Sequence, residues 1–202
     1  DGSYSDCTII VKDSAGNASN SLAITSFEMI PSYIAVGSSG TVIKSSDGIT
    51  WTEVSESASD NSSGLSGTIN DITYGNGTYV LVGSAVGDVY SSSNGNSWTS
   101  RTSGTSNTLN GVTYGDGKFF AVGSSGTVIK SSDGITWTEV SESASDNSSG
   151  LSGTINDITY GNGTYVLVGS AVGDVYSSSN GNSWTSRTSG TSNTLYGVTY
   201  AD

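Results

Sequence analysis

Residues 71–98 read DITYGNGTYVLVGSAVGDVYSSSNGNSW, and this stretch decides the fold. Asp71-Ile72-Thr73-Tyr74 is a short β-prone run that stops at Gly75-Asn76-Gly77, residues that reach positive φ at little cost and so close a tight turn. Thr78 to Gly83 resumes the extended pattern, Asp88 to Ser92 continues it, and Ser97 to Arg101 supplies a fourth run. In a strand, successive side chains point to opposite faces, so Tyr79 and Leu81 share one face while Val80 and Val82 share the other. Both faces are apolar. A sheet with one face in water would show polar alternation, so this one must be covered on both sides.

The stretch belongs to a repeat. Residues 35 to 109 recur unchanged at 121 to 195, an offset of 86, after which Asn110 becomes Tyr196 and Gly115 becomes Ala201. Each 86-residue unit holds two weaker half-repeats, and the four Trp, at 51, 98, 137 and 184, are spaced 47, 39 and 47 apart. A period near 40 residues with four short strands per unit is the pattern of a propeller blade. Stacked blades also cover each sheet on both faces. The expected fold is therefore all-β: a β-propeller of four-stranded blades, about four of them, each 39–47 residues long, with an N-terminal β-hairpin. Residues 1–30 form the hairpin or the end of another domain. Residues 31–202 form the blades, as two double-blade units at about 35–120 and 121–202.

The sequence Ser-x-Asp-Gly-x-Thr-Trp at 45–51 and 131–137, with Ser-x-Asn-Gly-x-Ser-Trp at 92–98 and 178–184, resembles the Asp box of sialidase-type propellers. One Gly of the usual box is missing, and every second copy has Asn for Asp. With its flanks, "VTYGDGKFFAVGSSGTVIKSSDGITWTEV" looks more like the non-catalytic bacterial repeat propellers related to photosystem assembly factors. The resemblance implies a turn between third and fourth strands, with Asp47, Asn94, Asp133 and Asn180 accepting N–H groups of their own turns. Trp51, Trp98, Trp137 and Trp184 would pack beneath them. Calcium at Asp47 or Asp133 is the sharper alternative, but each box offers one carboxylate where calcium gathers several oxygens.

Sialidases, by the same resemblance, hold their substrate with three Arg, and this chain has only Arg101 and Arg187, two copies of one position. A carboxylate-pair hydrolase is the remaining enzymatic reading, since Glu53, Glu56, Asp60 and Asp71 cluster in sequence and recur at 139, 142, 146 and 157. The plainer reading is a solvated acidic connection between blades, rich in Ser, Gly and Asn from 55 to 70.

Composition sharpens these exclusions. The 202 residues are 33% hydrophobic, yet 11 Tyr and 4 Trp supply a core, while 28 Gly against one Pro suit many tight turns. Eighteen acidic and six basic residues leave a net charge of −12, which repels nucleic acid and anionic membrane surfaces. No apolar run approaches the ~20 residues of a spanning helix, so no membrane insertion is expected. The chain has no His, which removes His-based catalysis and the commonest metal ligand. A single Cys7 reads as a buried thiol. No catalytic, cofactor-binding or metal residues are expected, and ligand-binding residues are left open.

The first thirty residues stand outside the repeat. "DGSYSDCTIIVKDSAGNASNSLAITSF" reads as strand, turn, strand and resembles the last two strands of bacterial immunoglobulin-like domains. Two strands alone are marginal in water, so pairing with another sheet is expected. Gly197 to Tyr200 repeats an inner strand and would either close a four-bladed ring on the blade that starts at Tyr33 or belong to an excerpt of a longer array. The second reading is preferred, with Leu22 to Phe27 as the first inner strand. The functional expectation is a non-enzymatic, secreted bacterial surface protein. It would act in adhesion or as a structural subunit, polymerising by strand exchange with itself or joined to another surface protein. A glycan-binding propeller is the alternative, and a glycoside hydrolase a distant third.

Overall fold

A computed structural model of the chain describes residues 7–9, 15, 22–24, 33–54, 65, 67–85, 88–140, 151–170 and 175–201. Near the N-terminus, β1 (Cys7–Ile9) pairs antiparallel with β2 (Leu22–Ile24) in a two-stranded sheet. The remaining strands form four antiparallel sheets in chain order, each a blade.

Blade 1 contains β3 (Tyr33–Val36), β4 (Val42–Ser45) and β5 (Thr52–Glu53). Blade 2 contains β6 (Ile69–Gly75), β7 (Thr78–Gly83), β8 (Asp88–Ser92) and β9 (Thr99–Thr102). Blade 3 runs through β10 (Leu109–Gly115), β11 (Lys118–Gly123), β12 (Val128–Ser131) and β13 (Thr138–Glu139). Blade 4 runs through β14 (Ile155–Gly161), β15 (Thr164–Gly169), β16 (Val175–Ser178) and β17 (Thr185–Arg187). The inner strand is longer than the sequence pattern indicated, starting at Ile69 rather than Asp71, and the outer strand begins at Thr99.

Local chemistry explains the hairpins. Gly75 pairs directly with Thr78, so Asn76 (φ 48°) and Gly77 (φ 75°) make a two-residue turn with both central residues in the left-handed region. That turn matches the twist of the flanking strands, and Asn-Gly is the pair that adopts it most cheaply. Asp116 and Asn162 do the same in blades 3 and 4.

The two-faced strand also behaves as its alternation requires. Tyr79 and Leu81 are buried with Val42, Ile69, Tyr90 and Trp98 in the joint between blades 1 and 2. Val80 and Val82 lie in the next joint, with Val89 from their own blade and Phe119, Ala121, Ile129 and Trp137 from blade 3. Side by side at the inner edge run β6, β10 and β14.

Two expectations change. Among the described residues blade 1 has three strands, because Leu22–Ile24 pairs with Cys7–Ile9 rather than with Tyr33–Val36; residues 25–32, which include the rest of the expected strand, lie outside the described residues. The hairpin sheet likewise has two strands and is joined to no other described strand. Of the two readings of Gly197 to Tyr200, closure onto Tyr33, the less favoured, is not seen: the segment lies against blade 4, outside any sheet.

Candidate functional site

The four turn motifs share one geometry. In blade 1 the Asp47 carboxylate accepts the N–H groups of Ile49 and Thr50 at 2.8 Å each, and the Ser45 hydroxyl donates to it at 2.9 Å. Ser45 in turn accepts the Gly48 N–H at 2.8 Å. The backbone donors of Thr50 and Ile49, helped by Ser45, draw the Asp47 carboxyl down to about 2. Asp133 is lowered in the same way by Thr136 and Ile135. Asn94 and Asn180 keep the arrangement with a neutral oxygen, which accepts from residues 96 and 97, or 182 and 183, at 2.8–3.1 Å. Trp98, Trp137 and Trp184 are buried, and the Trp137 indole donates to the Gly134 carbonyl at 3.3 Å. All four boxes are therefore occupied by their own backbone.

The inner edge carries a second set of polar residues that links blades. Asn70 Nδ2 donates to the Leu109 carbonyl at 2.7 Å, Asn110 to Ile155 at 2.8 Å, and Asn156 to Leu195 at 2.7 Å. Beside them, Asp71 Oδ2 accepts the Val112 N–H at 2.7 Å and Asp157 Oδ2 accepts that of Val198 at 2.8 Å. Burial pushes the Asp71 carboxyl up to about 6 against the pull of the Val112 and Ile72 N–H groups, with the Asp157 charge adding to the rise. Reading the sequence placed Asp71 at the start of an inner strand and in an acidic cluster with Glu53, Glu56 and Asp60, and missed its bond to the neighbouring strand. The signal was present: Asn stands second in each of β6, β10 and β14, and Tyr196 breaks the series.

The acidic residues do not converge. Glu53 and Glu139 sit on the outer strands of blades 1 and 3, while Asp71 and Asp157 lie on the inner strands of blades 2 and 4. Residues 56, 60, 142 and 146 fall outside the described residues. Among the described residues no group of three or more His, Cys, Asp or Glu is placed to hold a metal ion. Arg101 and Arg187 each donate through Nε to a Ser of the adjacent strand at 2.8 Å. No helix among the described residues is long and apolar enough to cross a membrane.

What remains is the pair of outer faces. On blade 1, Tyr33 is 53% exposed and Trp51 41%, whereas Phe119 and Trp137, at the same places in the second unit, are 0% and 6% exposed. The cause is the neighbour. A Cβ on Gly134 would lie 2.9 Å from Val80 of blade 2, because the blade 3 turn rests on that blade. Around Gly48, the equivalent position, the three nearest atoms all belong to the Tyr33 ring of the same blade, the closest at 3.6 Å.

At the other end, Leu195–Tyr200 lies on blade 4 as β10 lies on blade 2. Leu195 N–H reaches the Gly169 carbonyl at 3.0 Å, and Asn156 and Asp157 hold the segment as Asn70 and Asp71 hold β10. A Cβ on Gly161 would meet the Tyr200 ring at 2.0 Å, as one on Gly75 would meet Tyr114. The segment thus takes the place of the inner strand that would follow β14.

The family model described as the DUF6242 beta propeller domain matches residues 56–163, more than half of the chain. None of the curated proteins matches the sequence. Among solved structures, the chain is similar to YCF48 bound to D1 peptide, at 17% identity and a TM-score of 0.60 over 81% of this chain and 54% of that one. YCF48 from Cyanidioschyzon merolae aligns at 15% identity and a TM-score of 0.57, covering 83% and 60%. The computationally designed Ika8 protein aligns at 16% identity and a TM-score of 0.54, covering 98% and 61%. At such identities the likeness is one of fold, and the chain spans little more than half the length of these structures.

Proposed function

The chain belongs to the DUF6242 β-propeller domain family, and within it we propose that the chain works as a non-enzymatic structural module of a bacterial surface assembly. In this reading it is secreted, and it adheres or builds by joining blades end to end through strand addition. The observation that carries the reading is the uncovered apolar face of blade 1, where Tyr33 and Trp51 are open although their counterparts are sealed inside a joint. Repeated modules that cover such faces by stacking gain a contact at each step. The acidic, Ser- and Thr-rich composition suits an exposed position outside the cell. The polar groups of the inner edge are already bonded to neighbouring strands, which supports a holding role over catalysis.

The test is twofold. Labelled full chain should coat bacterial cell surfaces or purified surface material, and it should release no product from a panel of chromogenic glycosides. Turnover that is lost on substituting Asp71 or Asp157 would replace this reading with the hydrolase one. A glycan-binding reading draws on exposed Trp51 and Tyr196, and binding on a glycan array abolished by Trp51→Ala would favour it. A polypeptide partner has a precedent in the fold, since YCF48 was solved with a peptide bound.

A further inference from the structure

We propose that blade 4 of one copy docks on blade 1 of a second copy, with Leu195–Ala201 of the first added as an inner strand beside β3 of the second. The inference rests on the structural-module reading above and names its partner: this same chain.

The joint between blades 2 and 3 is built from Val80, Val82 and Val89 on one side, and from Leu109, Val112, Phe119, Ala121, Ile129 and Trp137 on the other. Shifted by the 86-residue offset, the first set becomes Val166, Val168 and Val175 of blade 4, of which Val166 and Val175 are half-buried and Val168 is already buried. The second becomes Tyr33, Ala35, Ile43 and Trp51 of blade 1, together with Leu195 and Val198, which already sit on blade 4. The two outer faces are therefore the two halves of an existing joint. Of the blade 1 set, one residue differs from its counterpart: Tyr33 for Phe119. That position accepts Tyr elsewhere, since the Tyr165 hydroxyl donates to the Gly115 carbonyl of the preceding blade at 2.5 Å. In the new joint Tyr33 has the Gly161 carbonyl as the equivalent acceptor.

Register follows as well. β10 pairs with β11 through Val112↔Ala121, Thr113↔Phe120 and Tyr114↔Phe119. The copied register is Val198↔Ala35, Thr199↔Ile34 and Tyr200↔Tyr33. It would complete a blade that has three strands among the described residues.

The donated strand departs from the repeat at two places, and both face blade 2 of the second copy. Asn110 bonds across to Ile155, but Tyr196 offers no amide at that place. Gly115 leaves room for the Tyr160 ring, which a Cβ would meet at 2.2 Å, whereas Ala201 carries that methyl toward Tyr74 of the second copy. Both changes weaken the joint between copies relative to the internal ones, so association is reversible and concentration-dependent.

The experiment uses the full chain in sedimentation velocity and light scattering over a wide concentration range. The expected result is a shift from monomer to dimer or longer species. Trp51→Glu and Val166→Glu each weaken association by about 30-fold or more, as loss of a central anchor does. Mixed together, these two variants restore one dimer, because each keeps the face the other lacks. Tyr196→Asn with Ala201→Gly, which restores the repeat, tightens association at least several-fold and guards against a misfolded Glu variant.

In a Cys7→Ser background, Ala35→Cys with Val198→Cys forms a disulfide between chains, since the Val112↔Ala121 pair they copy lies between ladder bonds, where side chains are closest. A monomer at every concentration, indifference to the repeat-restoring variant, or a disulfide within single chains overturns the proposal. A chain that stays monomeric yet coats cells sinks this joint and leaves the module reading intact, while glycoside turnover sinks the reading.

Discussion

Trp51 and Trp137 sit at the same place in two copies of one unit, with the same neighbours in sequence for many residues on either side, yet one ring is open and the other sealed. Their own turns are alike, each closed by a Ser, an Asp and the same backbone donors. What differs is the sheet next door: blade 2 lies under Trp137, and no described blade lies under Trp51. A blade thus folds its turn by local rules, while the burial of its ring is a property of the pair of blades. Most of the cohesion of such a fold resides in the joints.

Trp137→Ala should cost about 3–5 kcal/mol in denaturant unfolding, the range for a buried aromatic, and Trp51→Ala about 1 kcal/mol in dilute solution. Equal costs would mean that the blade 1 face is covered in solution. Next, Gly75→Ala should cost about 1–3 kcal/mol, because its methyl meets a Tyr114 ring fixed within a four-stranded sheet. Gly161→Ala should cost less, because Tyr200 belongs to a segment outside any sheet and can move. If Gly161→Ala costs as much, the segment is held by a partner.

The pH dependence of the inner edge comes third. The Asp71 carboxyl is raised from its ordinary 3.8 to about 6, so the fold favours its neutral form. The stability it contributes is full below pH 3.8 and is lost as pH rises through about 6, a loss of about 3 kcal/mol. Thermal melts from pH 4 to 7.5 should show that slope in the native chain and a flatter profile in Asp71→Asn. The smallest effect belongs to the turn. Asp133→Asn should leave the midpoint at pH 7 nearly unchanged, since Asn94 and Asn180 hold the same turn. Because the Asp133 carboxyl is lowered, its contribution is present above pH 3.8 and fades as pH falls below that, so the Asn variant should resist acid better than the native chain.

Much of this was legible in the residues alone. Val80 and Val82 face one joint and Tyr79 and Leu81 the other because side-chain direction alternates along a strand, whatever surrounds it. Asn76-Gly77 announces its hairpin because a two-residue turn needs positive φ twice. The roles of Asn70 and Asp71 were not legible, because the carbonyl and N–H they engage lie 39 and 41 positions away on another blade. The recurrence of Asn at the second place of each inner strand marks the position, but a backbone partner at that distance is not named by any local pattern. Leu22–Ile24 shows the same limit: its β-prone residues give a strand, and only the choice between Tyr33–Val36 and Cys7–Ile9 as partner decides where it goes.

By itself, then, the sequence determined the strands, their turns, the double-sided burial that demands stacked sheets, and the equivalence of positions 86 apart. These follow from interactions within a few residues and from periodicity. Tertiary structure decided which of the equivalent faces are covered, which inner strand bonds to which, and that Leu195–Tyr200 rests on blade 4 rather than beside Tyr33. Identical residues cannot encode different neighbours, so only the order in which the blades meet in space tells Trp51 from Trp137.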